Sequence, residues 1–193
     1  MKKTSSRALQ ARKTRRKLFK NAIKLIEKHG FDNVKIEDIC KQSKVSVGAF
    51  YHYFNSKTEI ITELYKQIDS YFETEVADKI KGVNSNDCIV LFFRHFAKFI
   101  SNNHFYHVRI LYGTQNEVLI DKERFMYVLL KEIIDNGKEK KELNDTYNTE
   151  FIEDFLLMLA RGVILDWILN EGKYDLEEKM WSNISAASPL FAA

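Results

Sequence analysis

The chain has 193 residues, of which 45% are hydrophobic and 30% charged, and it contains one proline and seven glycines. This balance is typical of a globular protein with a buried core, and it excludes an intrinsically disordered chain. Because helix-breaking residues are scarce, we predict an all-α fold. No apolar run is long enough for a membrane span or for the core of a signal peptide, so we expect a cytoplasmic protein with no membrane partner.

Charge is unevenly distributed along the chain. Residues 1–66 contain 16 Lys and Arg against 6 Asp and Glu, a net charge of +10, whereas residues 67–193 contain 14 against 21, a net charge of −7. The basic end is the end that a polyanion attracts, although a solvated basic arm explains the first residues equally well. The two cysteines, Cys40 and Cys88, lack metal-ligand spacing and are interpreted as reduced structural thiols.

The first predicted helix follows a basic segment. Residues 1–13 are rich in Lys and Arg and are expected to form a flexible arm. Leu18, Ala22 and Ile26 then lie on one face of a helix, and Gly30 stands where a left-handed C-cap would end it. We predict that this helix braces the two that follow.

Two short helices with a polar turn between them come next. Ile36 and Ile39 fall on one face of the first helix, and residues 41–44 form the polar break. Ser46 is a good N-cap for a second helix that begins near Val47, because its hydroxyl can accept a hydrogen bond from a free amide of the first turn. This arrangement is typical of a helix-turn-helix motif.

The second of these helices separates its phenylalanines from its hydrogen-bonding side chains. Phe50 and Phe54 lie four residues apart and are expected in the core, while Tyr51, His52 and the backbone at Gly48 face elsewhere. A helix that presents donors and small residues on its outer face can enter the major groove of DNA, which is wide enough to admit it.

Residues 57–193 are predicted to form a larger helical domain after a DNA-binding domain of residues 1–56. A capping box at Ser56 and Glu59 opens a fourth helix that runs toward Ile80. With the helices that follow, the total is about nine. The later helices are predicted at about residues 89–100, 105–112, 117–137 and 149–170, and from residue 175 onward.

The last two predicted helices form a hairpin whose apolar surface could pack on a second copy as a four-helix interface. A homodimer is therefore expected. The residues assigned to its interface are Leu156, Val163, Trp167, Met180, Trp181 and Ile184.

The motif V-S-x-G-x-x-Y-x-Y-F-x-x-K, from Val45 to Lys57, resembles that of the TetR family of bacterial transcriptional regulators. The resemblance covers roughly residues 14–66. It implies a three-helix DNA-binding head, a helical regulatory body, dimerisation through the last two helices, and an inverted-repeat operator in double-stranded DNA. The residues that it assigns to DNA contact are Lys35, Lys44, Ser46, Val47, Gly48, Ala49, Tyr51, His52, Tyr53 and Lys57.

These residues have different expected roles. His52 is the best candidate for contact with a base edge, whereas the hydroxyl and ammonium groups of the set would fix the register on phosphates. Val47 and Ala49 could contact thymine methyl groups. Two positions depart from the family pattern: Lys44 stands where Gly is frequent and has to accept a left-handed conformation, and Lys35 stands where Thr often caps the helix.

The aromatic side chains of the second domain have two interpretations. Most must belong to the core of a helix bundle, while some could line a cavity for an apolar or aromatic effector, as the family resemblance implies. Arg109, His107 or Arg161 could meet a polar end of that ligand. The residues assigned to the cavity are Phe96, His107, Tyr112, Phe125 and Phe155.

No pattern indicates catalysis, and no cofactor is expected. His95, His104 and His107 are close in sequence, but without a carboxylate or thiol at ligand spacing they do not predict a metal site. Two alternatives to a ligand-responsive regulator stay open. One is a DNA-binding protein of the same fold without a small-molecule effector, and the less favoured one is a helical cytosolic enzyme.

Overall fold

The structure, a computed structural model, describes residues 6–102, 105, 108, 109, 112 and 121–193. These residues form an all-helical protein, as predicted. A π-helical segment, Phe72–Val76, continues the fourth helix, and a 3-10 turn, Ser188–Phe191, lies near the end of the chain. The α-helices with defined bounds are α1 Ser6–His29, α2 Ile36–Ser43, α3 Val47–Tyr53, α4 Lys57–Tyr71, α5 Ser85–Asn102, α6 Phe125–Glu139, α7 Thr149–Leu169 and α8 Leu176–Ala187.

Two predicted boundaries are corrected. α1 already begins at Ser6, so residues 6–13 are helical and do not form a flexible arm. The helix expected from near residue 117 begins at Phe125, because residues 121–124 form a turn. The short helix expected at about 105–112 is described only at residues 105, 108, 109 and 112, which are helical.

Gly137 does not end its helix, which continues to Glu139. The glycine is buried inside α6, where a Cβ atom would lie 2.7 Å from the Cβ of Ser85 and 2.8 Å from the side chain of Leu143. Close packing against the start of α5, rather than a turn, therefore explains this glycine.

The first three helices pack around Ile39, Phe50 and Phe54, whose side chains are at most 1% exposed. Ser46 caps α3 as predicted, since its Oγ accepts a hydrogen bond from the amide of Ala49 at 3.1 Å. Lys44 adopts the left-handed conformation expected of it, with φ 54° and ψ 48°.

α4 connects the three-helix head to the rest of the chain. Ser56 caps it by accepting the Glu59 amide at 3.1 Å, while the Glu59 carboxylate accepts the amide of Asn55, one residue earlier than a standard capping box requires. Arg15 of α1 binds Glu63 of α4 through two hydrogen bonds of 2.6 and 2.7 Å. The buried apolar side chains form one core that runs through both the head and the body.

In the body, α5 packs against α6 and α8, and α7 packs against both α6 and α8. Asn148 caps α7 and Asp175 caps α8 through their side-chain oxygens, and α8 begins where the sequence predicted a helix. No helix in the described part of the chain is long and apolar enough to cross a membrane.

Candidate DNA-binding surface and effector cavity

The outer face of α3 exposes the side chains that the sequence assigned to DNA. Val47 is 38% exposed and Tyr51 is 52% exposed, and His52 and Gly48 are exposed beside them. Ala49 is half-buried. The face therefore combines one apolar side chain, one imidazole and one phenol on a helix short enough to lie within a groove.

Two other residues assigned to DNA contact, Tyr53 and Ser46, make contacts within the protein. Tyr53 is half-buried and packs against the core, with its ring 5.0 Å from that of His52 in an edge-to-face arrangement. Ser46 uses its oxygen to cap α3, although its O–H is still able to donate.

Lys44 and Lys35 are both exposed close to this face. Lys35 is the N-cap of α2, and its side chain caps no amide within the described residues. The Asp38 carboxylate compensates by accepting the Lys35 amide at 3.1 Å. The lost threonine cap is thus replaced by an acidic side chain in the first turn, which also suits the helix dipole.

Lys57 is held inside the head. Its Nζ donates to the carbonyl oxygens of Phe31 and Val34, the second at 2.9 Å, and lies 4.2 Å above the Phe31 ring. The lysine therefore fastens the start of α4 to the α1–α2 loop. The contacts of the Lys57 ammonium group within the protein are structural, and a contact with phosphate would have to share that group with them.

Sequence reasoning missed a row of cations on α1. Arg12, Arg16, Lys20 and Lys24 are exposed and follow one another at four-residue intervals along a groove between α1 and α4. The four-residue spacing was readable in the sequence, but the first helix was expected to begin after residue 13, so Arg12 was left outside it. The row extends the basic surface of the head beyond α3.

The body contains a small cavity between α4, α5, α6 and α7. Phe96 and Tyr112, two of the residues assigned to the effector cavity, line it. Phe125 and Phe155 do not: Phe125 borders a separate pocket beside residues 80–88, and Phe155 packs on Phe151 and Phe191. His107 lies outside the described residues. The further lining residues are Tyr65, Ile68, Ile100, Arg124, Met126, Tyr127, Leu157 and Arg161.

One side of this cavity is polar. Arg124 is 7% exposed and pairs with Asp69 of α4, with Nε 2.9 Å from Oδ2 and Nη2 3.2 Å from Oδ1. Arg161, one of the side chains considered for a polar ligand end, donates to the Tyr127 hydroxyl at 3.3 Å. Asp69 and Arg124 are 55 residues apart, so no sequence spacing could have paired them.

The phenols of Tyr65 and Tyr112 stay protonated at neutral pH. Burial raises the pKa of Tyr65, and the positive charge of Arg124 only partly opposes this. Burial also raises the pKa of Tyr112, an effect that the neighbouring Tyr127 reinforces. Both groups therefore present O–H donors beside the two guanidinium groups.

Residues 18–64 match the model of bacterial regulatory proteins of the tetR family. Over these residues the chain carries the DNA-binding domain of that family. The match contains all three helices of the head apart from the start of α1, and it favours a regulator over the helical enzyme considered from the sequence.

One relative aligns with most of the chain. The fatty acid metabolism regulator protein of Bacillus subtilis (strain 168) is 21% identical over 163 residues, which cover 80% of this chain and 84% of the relative.

Two crystal structures share the TetR fold. One is the transcriptional regulator FadR from Bacillus subtilis in complex with stearoyl-CoA. It has a TM-score of 0.73 and 19% identity, and it covers 88% of this chain and 95% of its own. The other, the TetR-family transcriptional repressor FadR from Thermus thermophilus in complex with lauroyl-CoA, has a TM-score of 0.61 and 20% identity, and it covers 88% and 91%.

The residues assigned to the dimer interface from the apolar hairpin are mostly buried within the protomer. Of the six, only Trp181 is exposed, at 43%. The others are 0 to 7% exposed and belong to the core of the single protomer, so they offer little surface to a second copy. These buried residues are Leu156, Val163, Trp167, Met180 and Ile184.

A different face of α7 is apolar and exposed. Its side chains, which we call the α7 stripe, are Phe151, Met158, Leu165 and Leu169, with exposures of 47, 62, 48 and 74%. The first three repeat every seven residues, which is the spacing of a seam between two packed helices. The sequence pattern failed to separate this stripe from the core because α7 is apolar on both sides.

Metal-ligating side chains do not cluster in the described part of the chain. No group of three or more His, Cys, Asp or Glu residues there could hold a metal ion. His104 and His107 lie outside the described residues.

Proposed function

We propose that this TetR-family transcriptional regulator is a cytoplasmic repressor that binds an inverted-repeat operator as a homodimer and leaves the DNA when an effector binds its body. The observation that carries the proposal is the exposed face of α3, with Val47, Tyr51 and His52, on a head with a net charge of +10 over residues 1–66. Phosphate attraction supplies affinity, and the α3 side chains supply specificity.

On this proposal, α3 enters the major groove and His52 reads a base edge. Tyr51 and Lys44 contact phosphates on either side, while the exposed cations of α1 extend the electrostatic contact along the duplex. Gly48 lets the backbone approach the DNA closely because it has no side chain.

The α7 stripe and Trp181 form the proposed dimer surface. Exposed apolar side chains at heptad spacing favour helix packing against a second copy, and a two-fold axis would bring the same stripe to both sides. The two α3 helices would then lie about 34 to 36 Å apart, one turn of DNA, as an inverted repeat requires.

The effector is proposed to carry an apolar acyl chain. Two structures of the same fold hold stearoyl-CoA and lauroyl-CoA, and Ile68, Phe96, Ile100 and Leu157 give this cavity an apolar wall. A ligand that binds better to a body conformation with wrongly spaced heads would shift the population off the operator.

The DNA-binding proposal is tested with an operator selected from a random duplex library. Tyr51→Ala should weaken binding, and the matched Tyr51→Phe variant should show whether the ring or the hydroxyl is responsible. His52→Ala should change the preferred bases more than it changes non-specific affinity. If the purified protein binds no duplex at low salt, or if both positions can be changed without effect, the assigned surface is incorrect.

The alternative without a small-molecule effector has one observation in its favour. The volume of the cavity that is open to water is only about 10 Å³, which holds roughly one water molecule. A thermal-shift series with acyl compounds separates the two, because a ligand of the native body raises the melting temperature. No shift with any chain length would favour the alternative.

A further inference from the structure

The strongest unexplained feature of the body is the buried ion pair between Arg124 and Asp69. Arg124 is the N-cap residue of α6, but its own side chain caps nothing within the described helix. Instead, Asp69 of α4 accepts the Met126 amide at 3.3 Å while both of its oxygens bind the guanidinium. One carboxylate thus satisfies a buried arginine and the start of a helix together.

This pair ties α4 to α6 at the cavity wall. Arg124 also donates to the Tyr65 carbonyl at 3.4 Å. The Asp69 carboxylate, the Met126 amide and the Tyr65 carbonyl therefore all bond at this one junction between α4 and α6. Asp69 itself lies two residues before the end of α4, and the π-helical segment Phe72–Val76 follows at once. Such segments often occur at functional sites, since their backbone pairing differs from that of the flanking helix.

The cavity around this pair is amphipathic. The guanidinium carbon of Arg124 is 4.9 Å from the Tyr65 ring and 5.3 Å from the Tyr127 ring, and Arg161 reaches the Tyr127 hydroxyl. Apolar side chains of α5 and α7 form the opposite wall. Among the described lining residues, two are arginines and none is a carboxylate. These groups are suited to an acidic head group attached to an apolar chain.

We infer that the effector is an apolar carboxylic acid whose carboxylate binds Arg124 and Arg161 and takes the place of Asp69. This inference deepens the proposed function by naming the chemistry of its effector site. The exchange is one carboxylate for another, so Arg124 stays paired while α4 is released. The displaced Asp69 can reach water, because its side chain is already 21% exposed.

A neutral ligand cannot make the same exchange. An alcohol, or the thioester carbonyl of an acyl-CoA, carries no charge, so it would displace Asp69 without replacing the two charge-assisted hydrogen bonds that the carboxylate makes to Arg124. The cavity has room for only about one water molecule, so a ligand can fill it only if the groups that line it move apart. Loss of the Asp69 contact frees α4 for that movement.

The test measures binding to the full chain by calorimetry without DNA. The probes are dodecanoate, dodecanol and lauroyl-CoA, which share the chain length and differ in the head group. Dodecanoate is expected to bind at least tenfold more tightly than dodecanol and more tightly than lauroyl-CoA. Equal affinity of the acid and the alcohol overturns the inference. Tighter binding of lauroyl-CoA also overturns it, but leaves an acyl-responsive regulator intact.

Two variants locate the head group. Arg161→Gln should weaken dodecanoate binding about tenfold and leave dodecanol binding unchanged, and an equal loss for both probes contradicts the assignment. Asp69→Asn removes the competing charge and keeps the shape, so dodecanoate should bind about tenfold more tightly. The control is Asp78→Asn, an exposed aspartate that bonds Lys81 away from the cavity.

DNA measurements separate this inference from the proposed function. If the wild-type chain binds dodecanoate as expected but no duplex, the regulator proposal fails and the ligand assignment stands. If it binds DNA and ignores dodecanoate, the ligand assignment fails alone. Asp69→Asn should also lower operator affinity in the absence of ligand, and unchanged affinity with an unchanged dodecanoate response refutes the exchange at Asp69.

Discussion

Replacement of Lys57 by alanine distinguishes a structural lysine from one that only touches DNA. The motif places this residue among the phosphate contacts, yet its ammonium group bonds the carbonyl oxygens of Phe31 and Val34 and lies over the Phe31 ring. Removal of the side chain leaves both carbonyls without this donor and detaches the start of α4 from the α1–α2 loop.

The expected loss is worked from these contacts. A hydrogen bond from a charged donor contributes about 1.5 to 3 kcal/mol, and the cation–π contact about 0.5 to 1 kcal/mol. Because the side chain is half-buried and water competes for its charge, we discount the sum to about 2 kcal/mol. For a chain of this size, that corresponds to a fall of about 4 to 8 °C in Tm.

The assay is thermal and urea unfolding at one fixed protein concentration, since the proposed dimerisation would make Tm concentration-dependent. Lys35→Ala is the matched control, because Lys35 is an exposed lysine of the same head. It should change the free energy of unfolding by less than about 0.5 kcal/mol. It should also reduce the slope of log K for DNA binding against log salt concentration by about 1. A Lys57→Ala protein that unfolds at the wild-type temperature would refute the structural role.

The remaining predictions concern four other positions. Lys44→Gly should stabilise the protein by about 1 kcal/mol in urea unfolding, because the left-handed backbone no longer carries a Cβ, while the salt dependence of DNA binding falls. Gly137→Ala should cost about 1 to 3 kcal/mol in the same assay, since its Cβ would overlap Ser85. Leu165→Asp should produce folded monomers in sedimentation, whereas Val128→Asp, at a similarly exposed site on α6, should leave dimers intact. Arg15 lowers the pKa of Glu63 through its hydrogen bond. The pair should therefore stabilise the fold above the ordinary Glu pKa of 4.5, and this stabilisation should be lost as the pH falls through the lowered pKa. Acid unfolding of the wild type and of Glu63→Gln measures the difference.

The head was largely predictable because its structure depends on local chemistry. Caps at Ser46 and Ser56 and the burial of Phe50 and Phe54 follow from side chains within a few residues of one another. Lys57 was the exception, since its partners lie 26 and 23 residues earlier in the loop. No periodicity in the sequence could reveal that contact.

The body was predictable as a set of helices but not as a site. α7 is apolar on two faces, so its periodicity could not show that Leu156 faces the core while Met158 and Leu165 face outward. The choice between these faces depends on where α5 and α8 lie. The same limit applied to the cavity, whose polar groups come from separate helices and meet only in the folded chain.

α4 connects the cavity to the DNA-binding surface as one rigid element. Lys57 and Glu63 fix its first turns to the head, and Asp69 fixes its last turn to α6. The twelve residues from Lys57 to Asp69 span about 18 Å of helix at 1.5 Å per residue. Because the head contacts lie at one end of this helix and the ion pair at the other, α4 would move with the head when Asp69 leaves Arg124. If the proposed exchange at Asp69 operates, the contacts at Lys57 and Glu63 are as necessary for it as the cavity itself, and weakening them should uncouple ligand binding from DNA release without changing ligand affinity.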